Sequence, residues 1–219
     1  MKGILTFTYG VMGAGKSAGL FSLQGDYTRK GFNCLVLKPM CDNRDATKVV
    51  ASRNGNSLPC KFVEECIFPN NFMKTKTRVE NYDAIFVDEA QFCKKEEIET
   101  LYKITRELDI PVYTYGLSTD FQNNLFEGSK ELFVRADEKT EVPGICWCGC
   151  RARMNARFNE DGKVLKSGEQ IVAGGDDQYT SLCADHYDKG DIGPKLIEEL
   201  KFLKNNKFNE KSDEENYER

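Results

Sequence analysis

The pattern of hydrophobic and polar positions divides the chain into two unequal parts. Up to about residue 140, short apolar runs alternate with longer segments in which apolar residues recur at helical spacing. Short apolar runs separated by helices predict a mainly parallel sheet with helices on its faces. The fold class is therefore α/β, with strands predicted at residues 4–9, 34–38, 84–88 and 110–115.

The helices in this part are predicted at residues 17–30 and 94–108. The second is the more clearly amphipathic, because its apolar residues fall on roughly one side of a helix. These residues are Ile98, Leu101, Tyr102, Ile104 and Leu108. Between the two helices, the polar and Asn-rich segment 42–59 predicts an exposed loop or a loose hairpin.

From Pro143 to His186, cysteines, glycines and short strand-like pieces replace this alternation, which indicates a second, smaller unit. We therefore expect an α/β domain over residues 1–142 and a small domain over 143–192. The remaining residues, 193–219, contain a last predicted helix at 197–208. The charged residues 212–219 are expected to be disordered.

Composition and charge narrow the function. The 219 residues can bury one core plus a small appended unit. The formal net charge of −4 argues against a duplex nucleic-acid partner, which normally requires a basic face. No apolar run approaches the ~20 residues of a membrane helix, and the first strand follows Met1-Lys2-Gly3 too closely for a signal peptide. We expect a cytoplasmic protein with no membrane partner.

Nine cysteines without an export signal suggest a reducing compartment in which thiols serve metal binding or packing. Five of them are scattered singly and are predicted to be small, buried or half-buried residues. These five are Cys34, Cys41, Cys60, Cys66 and Cys93.

A phosphate-binding motif lies between the first predicted strand and the first predicted helix. It reads Gly10-Val11-Met12-Gly13-Ala14-Gly15-Lys16-Ser17 and matches G-x-x-x-x-G-K-[ST] without a mismatch. The glycines let the backbone N–H groups converge on phosphate oxygens, and Lys16 brings a positive charge to the outer phosphates. The Ser17 hydroxyl can bind Mg²⁺, and the helix N-terminus adds partial positive charge. The motif predicts a nucleoside triphosphate ligand.

Two adjacent acids, Asp88 and Glu89, end the predicted strand at 84–88. Ligands of open parallel sheets bind at the carboxyl ends of the strands, so both acids are expected at the ligand crevice. Asp88 is placed to hold Mg²⁺ through water, together with Ser17. Glu89 can take a proton from an attacking hydroxyl, or it can activate water if the protein is an ATPase.

A cluster of metal-ligand residues marks the small domain. Cys146-Trp147-Cys148-Gly149-Cys150 precedes Cys183-Ala184-Asp185-His186, and a close cysteine pair followed by C-x-x-H is typical of a zinc site. The first pair is either Cys146 with Cys148 or Cys148 with Cys150, and Gly149 permits the tight turn. We take Cys146, Cys148, Cys183 and His186 as the ligands of a structural zinc that folds this domain.

Further motifs accompany these in a fixed order: Lys38-Pro39-Met40-Cys41-Asp42-Asn43-Arg44, Asp88-Glu89-Ala90-Gln91-Phe92 and Gly116-Leu117-Ser118-Thr119-Asp120-Phe121-Gln122. With the phosphate loop and the zinc unit, they resemble thymidine kinase of the type II family. The resemblance runs from about residue 3 to residue 187, and the zinc pairs resemble the branch found in large bacteriophages. It implies a RecA-like phosphate-loop fold with a zinc-binding lasso domain. For a phage protein, the compartment would be the host cytoplasm.

The resemblance also implies a reaction and its residues. Thymidine, or deoxyuridine, receives the γ-phosphoryl of ATP on its 5′-hydroxyl, in deoxynucleotide salvage for DNA synthesis. Glu89 is the expected general base, and Lys16 and Arg44 stabilise charge on the transferring group. Asp42 orients Arg44, and Gln91 joins the ATP-binding set.

The nucleoside-binding residues follow by matched position. The apolar set is Met12, Phe92, Leu117, Phe121 and Phe126. Asn155 and Arg157 match residues near the site, and Tyr179 is expected to pack against base or sugar. The lasso that closes over the nucleoside contains Ile171, Val172, Ala173, Gly174 and Gly175.

Two departures from the family pattern concern the acceptor site. Asn155 stands where the family commonly has threonine near the 5-methyl group of the base, so the preference for thymidine over deoxyuridine is open. Asn123-Asn124-Leu125 replaces a stretch that is often basic and contains proline.

Two other classes of function compete with a nucleoside kinase. A RecA-like ATPase would need a basic nucleic-acid track, which the acidic balance does not favour. A zinc-dependent binding module would have a decayed nucleotide site, but Lys16, Ser17, Asp88 and Glu89 are all present. By resemblance alone, we also expect a homotetramer and feedback inhibition by thymidine triphosphate (dTTP).

Overall fold

The computed structural model describes residues 3–40, 48–52, 55–170 and 179–217, with side chains described as far as residue 205. Several residues expected in the site lie outside the described residues. These are Asp42, Arg44, Ile171, Val172, Ala173, Gly174 and Gly175.

A six-stranded sheet forms the centre of the larger domain. Its strands are β1 (Leu5–Tyr9), β2 (Cys34–Lys38), β5 (Lys61–Phe62), β6 (Ala84–Val87), β7 (Val112–Gly116) and β8 (Glu138–Glu141). The spatial order is β5-β2-β6-β7-β1-β8, and every pairing is parallel. The predicted parallel sheet is confirmed, with β5 and β8 as edge strands that the sequence pattern does not predict.

Helices cover both faces of this sheet. They are α1 (Lys16–Arg29), α2 (Val63–Cys66), α3 (Phe72–Val79), α4 (Lys95–Glu107) and α5 (Glu127–Arg135). Side chains alternate between the faces of a strand, so Leu35 and Leu37 pack with α2 to α5 while Val36 packs with α1. Both strand faces are therefore apolar, which explains the continuous apolar runs.

The segment predicted as a loop or loose hairpin is a hairpin in its described part. Strand β3 (Val49–Ala51) pairs antiparallel with β4 (Ser57–Pro59). Of the scattered cysteines, Cys60, Cys66 and Cys93 are buried and Cys34 is half-buried, as predicted. Cys41 lies outside the described residues.

The smaller unit begins after β8 and contains two small antiparallel sheets. Its elements are β9 (Gly144–Ile145), β10 (Arg151–Ala152), β11 (Met154–Phe158), β12 (Val164–Leu165), β13 (Tyr179–Leu182) and helix α6 (Ala184–Lys189). Strand β10 pairs with β9, and β11 lies between β12 and β13. Its core includes Phe158 and Leu182, and it also includes Val11 of the phosphate loop. The two units therefore share packing at that loop.

The last helix, α7 (Pro194–Tyr217), is longer than predicted. It extends through most of the segment expected to be disordered, because no glycine or proline interrupts the chain after Pro194. Its first turns pack Leu196, Ile197 and Leu200 against the small domain's core. No helix in the described residues is long and apolar enough to cross a membrane.

Candidate active site

The phosphate loop has the strand–loop–helix context that its sequence predicts, between β1 and α1. Gly10 approaches the backbone so closely that a Cβ there would lie 2.5 Å from the carbonyl oxygen of Val142. Gly15 adopts φ +90°, which favours glycine. The Lys16 ammonium donates to the carbonyl oxygens of Val11 at 2.9 Å and Gly10 at 3.3 Å. The lysine charge thus lies over the curled loop, where phosphates bind in such motifs.

Asp88 follows β6 and faces the start of α1. The Ser17 hydroxyl donates to Asp88 Oδ2 at 3.4 Å. Burial, reinforced by the neighbouring Glu89 charge, raises the pKa of the Asp88 carboxyl well above its ordinary value. A cation bound beside it would favour the charged form, and a hydroxyl plus a carboxylate are oxygen donors of the kind Mg²⁺ prefers. These two residues therefore fit a magnesium ion shared with a nucleotide.

Glu89 has an unusual backbone conformation that a neighbouring glutamine supports. Its φ of +51° lies in the left-handed region, which is uncommon for residues other than glycine and recurs at functional sites. Gln91 donates from Nε2 to Glu89 Oε2 at 2.6 Å and accepts from the Leu117 N–H at 3.0 Å. The Glu89 carboxylate is thereby fixed beside Asp88 at the carboxyl edge of the sheet.

Gln91 has partners other than the phosphate contact expected from the sequence. Its side chain is 1% exposed, and both ends of the amide bond protein groups. The space for it depends on Gly116, where a Cβ would lie 2.5 Å from Gln91 Oε1. No sequence pattern signals this contact, because it joins the turn after β6 to the end of β7.

The residues expected around the nucleoside come from several elements: Phe92 from the turn after β6, Phe121 and Phe126 from the segment between β7 and α5, and Arg157 and Tyr179 from the small domain. Phe92 and Phe126 contact edge to face, with ring centroids 5.6 Å apart. The Arg157 guanidinium lies over the Phe121 ring at 5.5 Å, and Tyr179 pairs with Arg157 across β11 and β13. The structure thus shows an aromatic pair, Phe92 with Phe126, and a cation over a ring, Arg157 over Phe121, among the residues expected around the nucleoside.

Arg157 also has a buried hydrogen-bond donor, its Nε–H group. Within the described part of the chain, its Nε atom is buried and has no hydrogen-bond partner. An unsatisfied buried donor is costly, so such an atom beside a candidate ligand site marks a place where a ligand oxygen can bind.

The loop after β7 is held by Asp120, an aspartate for which the sequence pattern predicts no role. The buried Asp120 carboxylate accepts from the N–H groups of Gln122 at 2.8 Å and Asn124 at 2.9 Å. Its other oxygen accepts from Gln170 Nε2 at 2.8 Å. Asp120 therefore connects this loop to the small domain just before residue 171.

Asn155 lies between the phosphate loop and the loop after β7. Its Oδ1 accepts from the Met12 N–H at 2.8 Å, and its Nδ2 donates to the Thr119 carbonyl oxygen at 2.7 Å. The residue is 2% exposed. The sequence placed Asn155 near the base, whereas in the structure both polar ends of its amide contact protein backbone.

The metal-ligand residues converge as the sequence predicts. The ligand atoms of Cys146, Cys148, Cys183 and His186 all lie within 4.8 Å of one another. His186 Nδ1 is 3.5 Å from Cys146 Sγ and 3.2 Å from Cys183 Sγ. Tetrahedral zinc with ordinary bond lengths separates such ligands by about 3.6 Å, so the four fit zinc. Of the two cysteine pairs that the sequence left open, the structure therefore favours Cys146 with Cys148 over Cys148 with Cys150.

Cys150 closes the turn at this centre through its backbone, and the Cys/His cluster of the described residues does not include it. The Cys146 N–H donates to the Cys150 carbonyl oxygen at 2.8 Å, and Gly149 takes φ +85°. Trp147 covers the site, with its ring 4.4 Å from that of His186 and its Nε1 donating to the Asp191 carbonyl oxygen. With Nδ1 facing the sulfurs, His186 Nε2 lies 4.0 Å from Asp191 Oδ2.

Comparison with known proteins decides the family. The thymidine kinase family model matches residues 3–187. The chain belongs to the thymidine kinase family. The thymidine kinase of Enterobacteria phage T4 is 42% identical over 185 residues, which cover 84% of this chain and 95% of that protein.

Bacterial relatives extend the comparison. The thymidine kinase of Rhodopirellula baltica is 39% identical over 202 residues, covering 92% of this chain and 95% of that protein. The thymidine kinase of Coxiella burnetii is 39% identical over 189 residues, covering 85% and 95%. The family thus confirms the resemblance drawn from the motifs, and the matched region includes both the phosphate loop and the Cys/His cluster.

Proposed function

We propose that this family member transfers the γ-phosphoryl group of ATP to the 5′-hydroxyl of thymidine, giving thymidine monophosphate (dTMP) and ADP. The observation that carries the proposal is the placement of Glu89 beside Asp88 and Ser17, in a chain of the thymidine kinase family. A carboxylate next to the metal ligands can remove the proton of a hydroxyl that attacks the γ-phosphorus.

The phosphate side of the reaction uses electrostatics more than covalent chemistry. The loop N–H groups and Lys16 would bind the phosphate oxygens, Arg44 would stabilise charge on the transferring group together with Lys16, and Asp42 would orient Arg44. Ser17 and Asp88 would hold Mg²⁺, which neutralises charge on the β- and γ-phosphates when bound.

The acceptor side uses aromatic and apolar side chains. Phe92, Leu117, Phe121 and Phe126 would form the base pocket with Met12 and Tyr179, since flat bases stack on aromatic rings. Residues 171–175 would close over the nucleoside. Deoxyuridine, which lacks only the 5-methyl group, is a second expected acceptor because one methyl is worth only a modest discrimination.

The test is ADP release from ATP and Mg²⁺ with thymidine, deoxyuridine, deoxycytidine or no nucleoside added. Release that depends on thymidine supports the proposal, and the rate with deoxyuridine measures how strongly the pocket reads the methyl group. Equal release without nucleoside would instead identify an ATPase.

The proposal also covers feedback inhibition and the oligomeric state. We expect dTTP to inhibit by placing its base in the nucleoside pocket and its phosphates on the phosphate loop, so inhibition should compete with thymidine. We also expect a homotetramer in the cytoplasm, acting in deoxynucleotide salvage without binding nucleic acid. Non-competitive dTTP inhibition, or a monomer in light scattering, would contradict these two expectations.

A further inference from the structure

We propose that Asn155 is a positioning residue that holds the phosphate loop in register with the loop after β7. The inference rests on the proposed kinase function, because it assigns this side chain a part in forming the ATP site. It adds a role to the position near the base that the sequence suggested.

The hydrogen bonds of Asn155 define the orientation of its amide. The Met12 N–H can only donate, and the Thr119 carbonyl can only accept. Only Oδ1 toward Met12 and Nδ2 toward Thr119 satisfies both, and these distances are 2.8 Å and 2.7 Å. The amide supplies the acceptor and the donor on separate atoms, so one side chain bonds both loops.

The position of Asn155 makes the connection a rigid one. It lies within β11, paired with Ser181 of β13, and its side chain is almost wholly buried. Val11, the residue before Met12, packs in the small domain's core. The phosphate loop is therefore attached to the small domain by the packing of Val11 and by the hydrogen bond at Met12, at successive residues.

This attachment connects the two substrate sides of the proposed reaction. Met12 belongs to the loop whose N–H groups face phosphate, and Thr119 lies between Leu117 and Phe121 of the expected base pocket. Loss of the Asn155 amide would free a loop N–H to rotate, and phosphate binding depends on the direction of those N–H groups. The expected consequence falls on ATP more than on the fold.

The test compares Asn155→Ala with Asn159→Ala. Asn159 is a matched control because its Oδ1 also accepts two backbone N–H groups, from Asp161 and Lys163, in the same small domain but away from the phosphate loop. Hydrogen–deuterium exchange of a peptide covering residues 10–15, without nucleotide, reports on the loop directly. Steady-state kinetics report the KM for ATP, and zinc content reports that the small domain is folded.

We expect Asn155→Ala to speed exchange in the phosphate loop and to raise the KM for ATP, each by about tenfold, while Asn159→Ala leaves both near wild type. If Asn155→Ala does not bind zinc, Asn155→Thr, which also lacks the amide, takes its place with the same direction of change.

Unchanged loop exchange in a zinc-loaded Asn155 variant would overturn the inference, as would equal effects from Asn159→Ala. The exchange measurement needs no kinase activity. A failed kinase proposal would appear as wild-type protein without thymidine-dependent ADP release, so the two failures are distinguishable.

Discussion

Glu89 combines a chemical group with a costly backbone conformation. A left-handed φ at a non-glycine residue costs of order 1–3 kcal/mol and persists only where surrounding contacts fix it. Here the contact is Gln91, which is itself fixed by the Leu117 N–H. The conformation that places this carboxylate therefore lowers the stability of the fold, and its presence supports a role for Glu89 in the reaction.

Replacing Glu89 by glutamine tests that role. Glu89→Gln keeps the shape and a polar contact with Gln91 but removes the proton acceptor, so kcat should fall by roughly 10²- to 10⁴-fold with binding of thymidine and ATP retained. The measurement is kcat alongside the affinities of both substrates. Glu107→Gln, at an exposed position on α4, is the control and should leave kcat unchanged. A Glu89→Gln enzyme with full kcat would show that the proton leaves by another route.

The role of some site residues could be predicted from the sequence, whereas the contacts of others could not. The phosphate loop, Asp88 and Glu89 could be predicted because their chemistry depends on neighbours in the chain. The partners of Gln91 and Asn155 could not, since Asn155 lies 143 residues from Met12 and 36 from Thr119. Nothing in a local pattern records such contacts.

At the scale of elements, the edge strand β8 shows the limit of hydrophobic patterning. All four of its residues are exposed, so Glu138–Glu141 has no apolar alternation to read. Interior strands such as β6, buried along their whole length, were predicted within a residue or two. A hydrophobic pattern reveals a strand only where its side chains are buried. Strand β8 is exposed and is defined by its backbone pairing with β1, so its sequence shows no such pattern.

Asp137, just before β8, fixes how this strand joins the sheet. Its Oδ2 accepts from the Leu5 N–H at 2.9 Å, and Arg106 of α4 pairs with the other oxygen. Partial burial opposes ionisation, but these two partners outweigh it, and the pKa of Asp137 lies below its ordinary value. The ionised side chain thereby ties β1, β8 and α4 together.

Asp137→Asn should therefore destabilise the fold in a pH-dependent way. A lowered folded-state pKa contributes stability that is present above the unfolded value of about 4 and is lost as pH falls through the folded value. Solvent screens this partly exposed pair, so we expect a loss of at most about 1 kcal/mol near pH 7 that shrinks below about pH 4. Urea unfolding of wild type and variant at each pH measures it, with Glu107→Gln as the surface control. A pH-independent difference would contradict the ionic role.

At the scale of the whole molecule, the small domain depends on its Cys/His cluster. Its core is limited, its sheets have two and three strands, and the four ligands join the β9–β10 turn to α6. Metal binding in such units contributes directly to folding. Because Val11 packs in the same core, loss of metal should also disturb the phosphate loop.

Two cysteines of the same turn give a matched test of the zinc site. Cys148→Ser should reduce zinc well below one per chain and loosen the small domain, whereas Cys150→Ser should keep it, because only Cys148 lies in the cluster. Metal analysis measures the first effect. The fluorescence of Trp147, the only tryptophan, should shift to longer wavelength as its contact with His186 is lost. Equal zinc in both variants would refute the ligand assignment.

The proposed reaction transfers phosphate to a nucleoside and is distinct from simple hydrolysis of ATP. The most direct measurement is the molar ratio of dTMP formed to ADP released by the zinc-loaded protein with ATP, Mg²⁺ and saturating thymidine. We expect a ratio of about one, since each transferred γ-phosphoryl leaves one ADP. ADP released without dTMP would contradict it and would identify the phosphate loop as part of an ATPase.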